Sequence, residues 1–474
     1  MQSPSISRQF ARWAANLCYA DLPPEVVEKV KALLLHALTG AALGSGNEAA
    51  QDVVRFTLAE EAKPDGASLF GAAARATRGG AAFANSELIH ASLLFDSYRM
   101  LTHPGPVLVP AAFANAELEG RSGEDLIVAL AVGYEFVCRL SDDFIPSTAA
   151  RGFRPNPIYS TLGAALLSGK LMGLDEDGLV AAIAIGANFT SGLFQGAREG
   201  ANDLSIHEPQ AARNGVFAAV IARGGHVRGA EFSIEGEAGF YNAFTGSSRG
   251  ELSYSFDSEA CVDMASVTRG LGDEYKMLDA IFRIYPCAGY NQGPIELMCE
   301  MRSRLRVDAD AIDEVQVAMN WIETLYPSPA FPRYSDWQTP RAGETTHYFV
   351  AHAAVHGGFP VAGAPALSPA GGKLTEDARV LEFMQRVKLV PEKLRPMFSP
   401  AIRIRMKDGT AHEDTYPYER MIWTFDQLTQ RLHASLPGYP GGRAAFEAMV
   451  DLVRGAERWA SVQPLLARMR DDQA

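Results

Sequence analysis

Ser122-Gly123-Glu124-Asp125 opens a stretch that continues Leu-Ile-Val-Ala-Leu-Ala-Val-Gly-Tyr-Glu-Phe-Val-Cys-Arg-Leu to Leu140. The serine can accept hydrogen bonds from first-turn amides, and the two acids sit where the positive end of a helix dipole favours them. The apolar run behind this cap predicts a helix over Gly123–Leu140. The same theme recurs along the chain. Pro23-Pro24-Glu25 puts proline and an acid in a first turn ahead of Val26–Ala42. Helical patterns follow over Ala81–Leu94, Pro110–Leu118, Thr161–Leu171, Gly178–Phe194 and Gln210–Arg223. Many are rich in small residues, as in Gly163-Ala164-Ala165. Such residues let helix backbones approach closely, so a tightly packed all-α domain is expected from Pro4 to about Val267. No internal repeat of roughly 20 to 50 residues recurs, which disfavours an α-solenoid.

The pattern changes after about Leu271. Val315, Val317 and Met319 alternate within Ala311–Ile322 and predict a strand. Ser399–Met406 alternates apolar and basic residues and runs into Asp408-Gly409, a hairpin signal. Val387–Val390 reads as a third strand. Helical patterns at Leu278–Phe282, Pro294–Met301 and Tyr348–Val355 lie among them, Gly357–Gly372 reads as a loop, and helix resumes from Phe425.

Charge narrows the function classes. The 474 residues carry 43 basic and 56 acidic side chains, a net charge of −13. That balance argues against nucleic acid and against anionic membranes, though a local basic pocket can still take an anionic substrate. Five scattered cysteines show neither zinc nor redox spacing. No apolar run reaches the roughly 18 residues of a membrane span, and the amino terminus lacks a signal-peptide core. A cytoplasmic protein is expected.

Four stretches carry chemistry. Asp96 and His103 stand seven residues apart, with His103-Pro104-Gly105 forcing a turn. A carboxylate and an imidazole facing one cavity supply proton transfer near neutral pH; a capped helix stop is the plainer reading. Arg151 and Arg154 precede a helix start, where free amides and guanidinium groups suit a carboxylate. His207 and Glu208 stand at another helix entry, as a cap or as catalytic groups. Phe282-Arg283-Ile284-Tyr285-Pro286-Cys287 falls at the change of pattern, where loops line clefts. Cys287 reads as a buried structural thiol rather than a nucleophile. His347, His352 and His356 lack an acidic companion in a metal spacing, so no metal is expected.

Taken together these motifs resemble the MmgE/PrpD family. The resemblance rests on Asp96 with His103-Pro104-Gly105, Gly133-Tyr134-Glu135, Arg151-Gly152-Phe153, Leu162-Gly163-Ala164-Ala165, Gly173-Leu174-Asp175, Ala211-Ala212-Arg213-Asn214-Gly215, Glu237-Ala238-Gly239-Phe240 and Tyr285-Pro286-Cys287. It implies a mainly α protein: a large all-helical domain of residues 1–267 and 410–474, and a smaller inserted α+β domain of residues 268–409. It also implies a homodimer and cofactor-free chemistry on small polycarboxylates in an interdomain cleft. Asp96, His103 and His207 would be catalytic, and Arg154, Arg283, Tyr285 and Gln292 would bind substrate. The chain departs from the family at several positions. Arg154 replaces a histidine, Asp203-Leu204 falls where a Thr-Lys is usual, Arg283 replaces a lysine, and Gln292 replaces a histidine. Arginine does not readily give up a proton, so the acid/base inventory is reduced.

The expected function is a cofactor-independent lyase, of dehydratase or decarboxylase type, acting on a small di- or tricarboxylate. An epimerase or isomerase using the same α-proton abstraction is the alternative. A catalytically lapsed carboxylate-binding member is a third reading.

Overall fold

The computed structural model describes residues 4–326, 331, 339–363 and 377–471. The protein is mainly α. The predicted cap at Ser122 forms: its hydroxyl accepts from the Asp125 amide at 3.1 Å, and the Asp125 carboxylate accepts from the Ser122 amide at 3.1 Å. The helix it starts runs Gly123–Ser141 and is buried along almost its whole length.

At the centre lies the helix Pro155–Leu171, whose first turn holds both prolines of the Arg154-Pro155-Asn156-Pro157 stretch. It packs against Gly105–Leu118, Gly123–Ser141, Glu176–Phe189 and His207–Arg223. Small residues make that crowding possible. A Cβ at Gly215 would lie 2.3 Å from Ala164 Cβ and 2.8 Å from the Thr161 carbonyl oxygen.

Among the described residues, eight strands accompany the helices. Ribbon β1 (Ala62–Ser68) with β2 (Arg75–Ala76) and the two-residue ribbon β3 (Asp96–Ser97) with β4 (Ile281–Phe282) were not foreseen. The remaining four, β5 (Ile312–Asn320), β6 (Val387–Glu392), β7 (Ala401–Met406) and β8 (Ala411–Thr415), form one sheet in the order β6-β5-β7-β8. β5 pairs parallel with β6 and antiparallel with β7, and the Asp408-Gly409 turn joins β7 to β8. Helices Gln292–Leu305 and Thr346–His356 lie with this sheet.

Three expectations change. Leu278–Phe282 is a 3-10 turn ending at Asp279 followed by β4, because Ile281 and Phe282 take backbone pairing from the distant β3. The helix expected from Pro110 already begins at Gly105, and Pro110 lies within it. The stretch from Gly224 to Val267 is largely irregular, with a short helix at Phe240–Thr245. Of the expected loop Gly357–Gly372, residues 364–372 lie outside the described residues.

One helical segment carries much of the tertiary wiring. Glu135, fully buried, accepts hydrogen bonds from the Lys276 and Met277 amides, each at 3.0 Å. Arg139 pairs with Glu135 one turn on and donates to the carbonyls of Arg269 (2.7 Å) and Glu274 (2.8 Å). This buried pair satisfies its own polar groups and fixes the segment leading into β4. Gly215→Ala is expected to destabilise the protein by about 1–3 kcal/mol through overpacking, read as a lowered thermal midpoint with unchanged helix content.

Candidate active site

Between the helical layer and the sheet lies a cavity of about 680 Å³. The ribbon β3–β4 contributes Ser97 to its lining and leads into His103 and Arg283. Asp96 pairs with Phe282 and Ser97 with Ile281, so His103 and Arg283, far apart in sequence, become neighbours. The Asp96 carboxylate accepts from the Tyr134 hydroxyl at 2.6 Å and from the Gly105 amide at 3.0 Å. A Cβ at Gly105 would stand 3.0 Å from both Asp96 Oδ1 and the Tyr134 hydroxyl, so the His-Pro-Gly turn ends in the residue that this approach requires. Burial raises the Asp96 carboxyl to about 6, against the opposing pull of Tyr134 and Gly105.

His103 is buried and lines the cavity. Its backbone amide donates to Asn156 at 2.8 Å. On the ring, Nδ1 lies 3.1 Å from the Asp96 carbonyl oxygen and 3.0 Å from Ser97 Oγ. One Arg283 nitrogen lies 3.1 Å from Nε2 and 3.3 Å from Nδ1. A guanidinium only donates and a carbonyl only accepts. The Asp96 carbonyl favours a proton on Nδ1, and the closer approach of the guanidinium to Nε2 favours the lone pair of a neutral ring there. Burial, then the nearby charges of Arg283 and Arg154, hold it well below the ordinary imidazole value.

Arg283 also donates through Nε to Ser97 Oγ at 3.1 Å and lies 4.4 Å over the Phe95 ring. Among the described residues no carboxylate pairs with it. Arg154 faces the cavity too, but its charge is engaged. It donates to Glu208 at 2.6 Å, and Asn156 donates to the other Glu208 oxygen at 2.9 Å. Burial works against the Glu208 charge, yet Arg154, His90 and Asn156 bring the carboxyl down to about 2. Among the described residues, Arg99, Arg198 and Arg341 complete five guanidinium groups on the cavity wall, beside Glu199 and Glu344. Arg99 pairs with Asp142 at 2.9 Å and Arg341 with Glu344 at 2.8 Å.

Other expected residues stand elsewhere. His207 is half-buried, its Nδ1 without a partner, and it is not among the lining residues. Tyr285 turns its hydroxyl to Glu296 at 2.8 Å. Gln292 accepts from the Ile284 and Tyr285 amides and donates to the Tyr285 carbonyl, stapling the loop from within. Neither reaches the cavity lining, whereas Pro286, Cys287 and Ala288 between them do. Burial pushes the Cys287 thiol up to about 12, leaving it protonated. His352 Nδ1 bonds the Gly358 carbonyl at 2.8 Å and His356 pairs with Asp377 at 2.7 Å. Among the described residues no three His, Cys, Asp or Glu side chains are placed to hold a metal ion.

Two features were missed. His90, a lone histidine in an apolar helix, lines the cavity; nothing in its spacing marks it. Backbone strain was also invisible: Leu93, Arg99, Leu101 and Phe398 have φ of 58°, 49°, 69° and 57°, and all four line the cavity.

The model of the MmgE/PrpD N-terminal domain matches residues 8–253, more than half of the sequence. The chain belongs to the MmgE/PrpD family. It is 29% identical over 321 residues to a cis-aconitate decarboxylase-like protein of Aspergillus oryzae, covering 66% of this chain and 64% of that one. It is 28% identical over 306 residues to cis-aconitate decarboxylase of Aspergillus terreus, covering 63% and 60%. The cis-aconitate decarboxylase of Mus musculus is 26% identical over 227 residues, 47% of this chain and 46% of the relative. The chain thus spans less than two thirds of the length of these relatives. Within the described residues no helix is long and apolar enough to cross a membrane.

The hydrogen-bond pattern fixes a measurable state for this family member. At pH 6.5, where a free imidazole is about half protonated, 15N NMR should show His103 neutral with its proton on Nδ1. Arg283→Gln removes a cation that penalises the imidazolium, so the His103 titration should move upward, toward higher pH.

Proposed function

We propose that this protein is a cofactor-independent lyase, of dehydratase or decarboxylase type, acting on a small di- or tricarboxylate. The observation that carries this reading is the contact between Arg283, a cation that no carboxylate among the described residues pairs with, and the His103 ring. Removing a proton beside a carboxylate is hard in water, because the resulting enolate-like charge is poorly stabilised. A buried guanidinium supplies that stabilisation in place, at low dielectric and without reorganisation. The names of the related decarboxylases and the surplus of guanidinium groups on the cavity wall support the same substrate class.

In this reading an incoming carboxylate takes hydrogen bonds from Arg283 and frees Nε2 of His103. The same anion favours protonation of the ring, raising its basicity when substrate is in place. Asp96 acts from behind. Its backbone carbonyl holds the Nδ1 proton, and its carboxylate, tied to Tyr134 and Gly105, fixes the strand that presents it. Arg154 is locked to Glu208, so it sets cavity potential and the position of the Asn156 turn rather than clamping substrate directly. Arg198, for which no ion pair occurs among the described residues, is the more available second cation.

The test is turnover of cis-aconitate, citrate and malate, followed by NMR in deuterated water. His103→Ala should lower elimination or decarboxylation by about 10²- to 10⁴-fold. Deuterium entering recovered substrate with no elimination or decarboxylation product would replace the lyase reading with an isomerase. Unchanged turnover in His103→Ala would remove the site assignment.

A further inference from the structure

Phe95 stands between two imidazoles in opposite electrostatic settings. His103 lies 5.0 Å from its ring centre, with Arg283 at 4.4 Å. His90 stacks on the same ring at 5.7 Å, nearly parallel at 16°. Both histidines line the cavity. Where His103 meets a guanidinium, His90 meets carboxylates at both ring nitrogens. Glu87 Oε2 is 3.7 Å from Nδ1, and Glu208 Oε2 is 3.7 Å from Nε2. Neither separation is a hydrogen bond. Nδ1 of His90 and Oε2 of Glu87 are both buried and otherwise unpartnered.

That arrangement is unexplained by packing alone. A buried carboxylate oxygen and a buried ring nitrogen, each without another partner, face one another beside the cavity. Carboxylate oxygens accept, so each is matched by an N–H on the facing ring nitrogen of His90. A ring that faces acceptors and a ring that faces a donor supply a proton donor and a proton acceptor to one cavity.

We propose that His90 is the second catalytic group, the acid that protonates the departing oxygen, with Glu87 holding its other ring nitrogen. This rests on the lyase reading above. With a β-hydroxy carboxylate, Nε2 of His103 removes the α-proton, and the C–H electron pair moves into the carboxylate held by Arg283. The C–O bond then breaks, and its electron pair leaves on the hydroxyl oxygen. The proton of His90 converts that hydroxide to water as the carboxylate pair returns to form the C=C bond. His103 ends protonated and His90 neutral, and exchange with solvent restores both.

The experiment compares wild type, His90→Gln, Glu87→Gln and His103→Ala on citrate and malate in deuterated water, with folding checked by circular dichroism. His90→Gln should still admit deuterium at the α-carbon of recovered acid while elimination falls by about 100-fold or more. Glu87→Gln should show the same split more weakly, and it carries the test if His90→Gln does not fold. His103→Ala should lose exchange and elimination together. Elimination at the wild-type rate in His90→Gln overturns the assignment of His90. So does an equal loss of exchange and elimination, the signature of a merely structural residue. A wild-type protein inert toward both acids, in exchange and elimination alike, sinks the lyase reading and the role of His90 with it.

Discussion

Everything at the site depends on a backbone pairing only two residues long on each side. Asp96-Ser97 and Ile281-Phe282 form an antiparallel ribbon between segments that lie in different halves of the sequence. Closing so long a loop costs entropy that two residue pairs cannot offset. The compensation comes from the buried Glu135–Arg139 pair, which grips the backbone on the approach to Ile281. Lys29, buried beneath the ribbon, adds a hydrogen bond to the Ala280 carbonyl and sits over the Phe282 ring. Burial lowers this lysine to about 8, opposed by the nearby charge of Asp96. Polar groups that would be liabilities in an apolar core become fasteners because each finds its partner.

A chain with a net charge of −13 concentrates guanidinium groups in one cavity. What matters there is which of them keep their charge to themselves. Glu208 engages Arg154, and Asp142 engages Arg99. Arg283 donates to a hydroxyl and an imidazole and lies over an aromatic ring; Asp96 acts on it through space, but among the described residues no carboxylate pairs with it. Arginine at this position is a cation that does not readily give up its proton. In the proposed reading the proton chemistry therefore falls to imidazoles.

Much of the fold was legible because it is local. Ser122 with Asp125, Pro24, and Asp408-Gly409 each act within a few residues, and each forms the cap or turn its chemistry favours. The crowding around Thr161–Leu171 was readable from alanine and glycine alone. What escaped is what distance decides. β3 and β4 are too short to show alternation, and nothing near Arg154 announces Glu208 as its counter-ion. Gln292 was expected at the substrate because of where it stands in the family pattern, yet its amide is spent on the backbone of Ile284 and Tyr285. His90 carries no motif; its meaning lies in Phe95, Glu87 and Glu208, which only the fold brings to it.

The left-handed residues around the cavity imply an asymmetry in how this protein tolerates change. Each non-glycine residue held there costs roughly 1–2 kcal/mol, against a typical folding stability of about 5–15 kcal/mol. Glycine at Leu93, Arg99, Leu101 or Phe398 would relax the backbone while erasing a side chain from the cavity wall. The substitutions that most ease the fold are therefore the ones that most loosen the site. Selection for robustness and selection for turnover pull in opposite directions at these four positions.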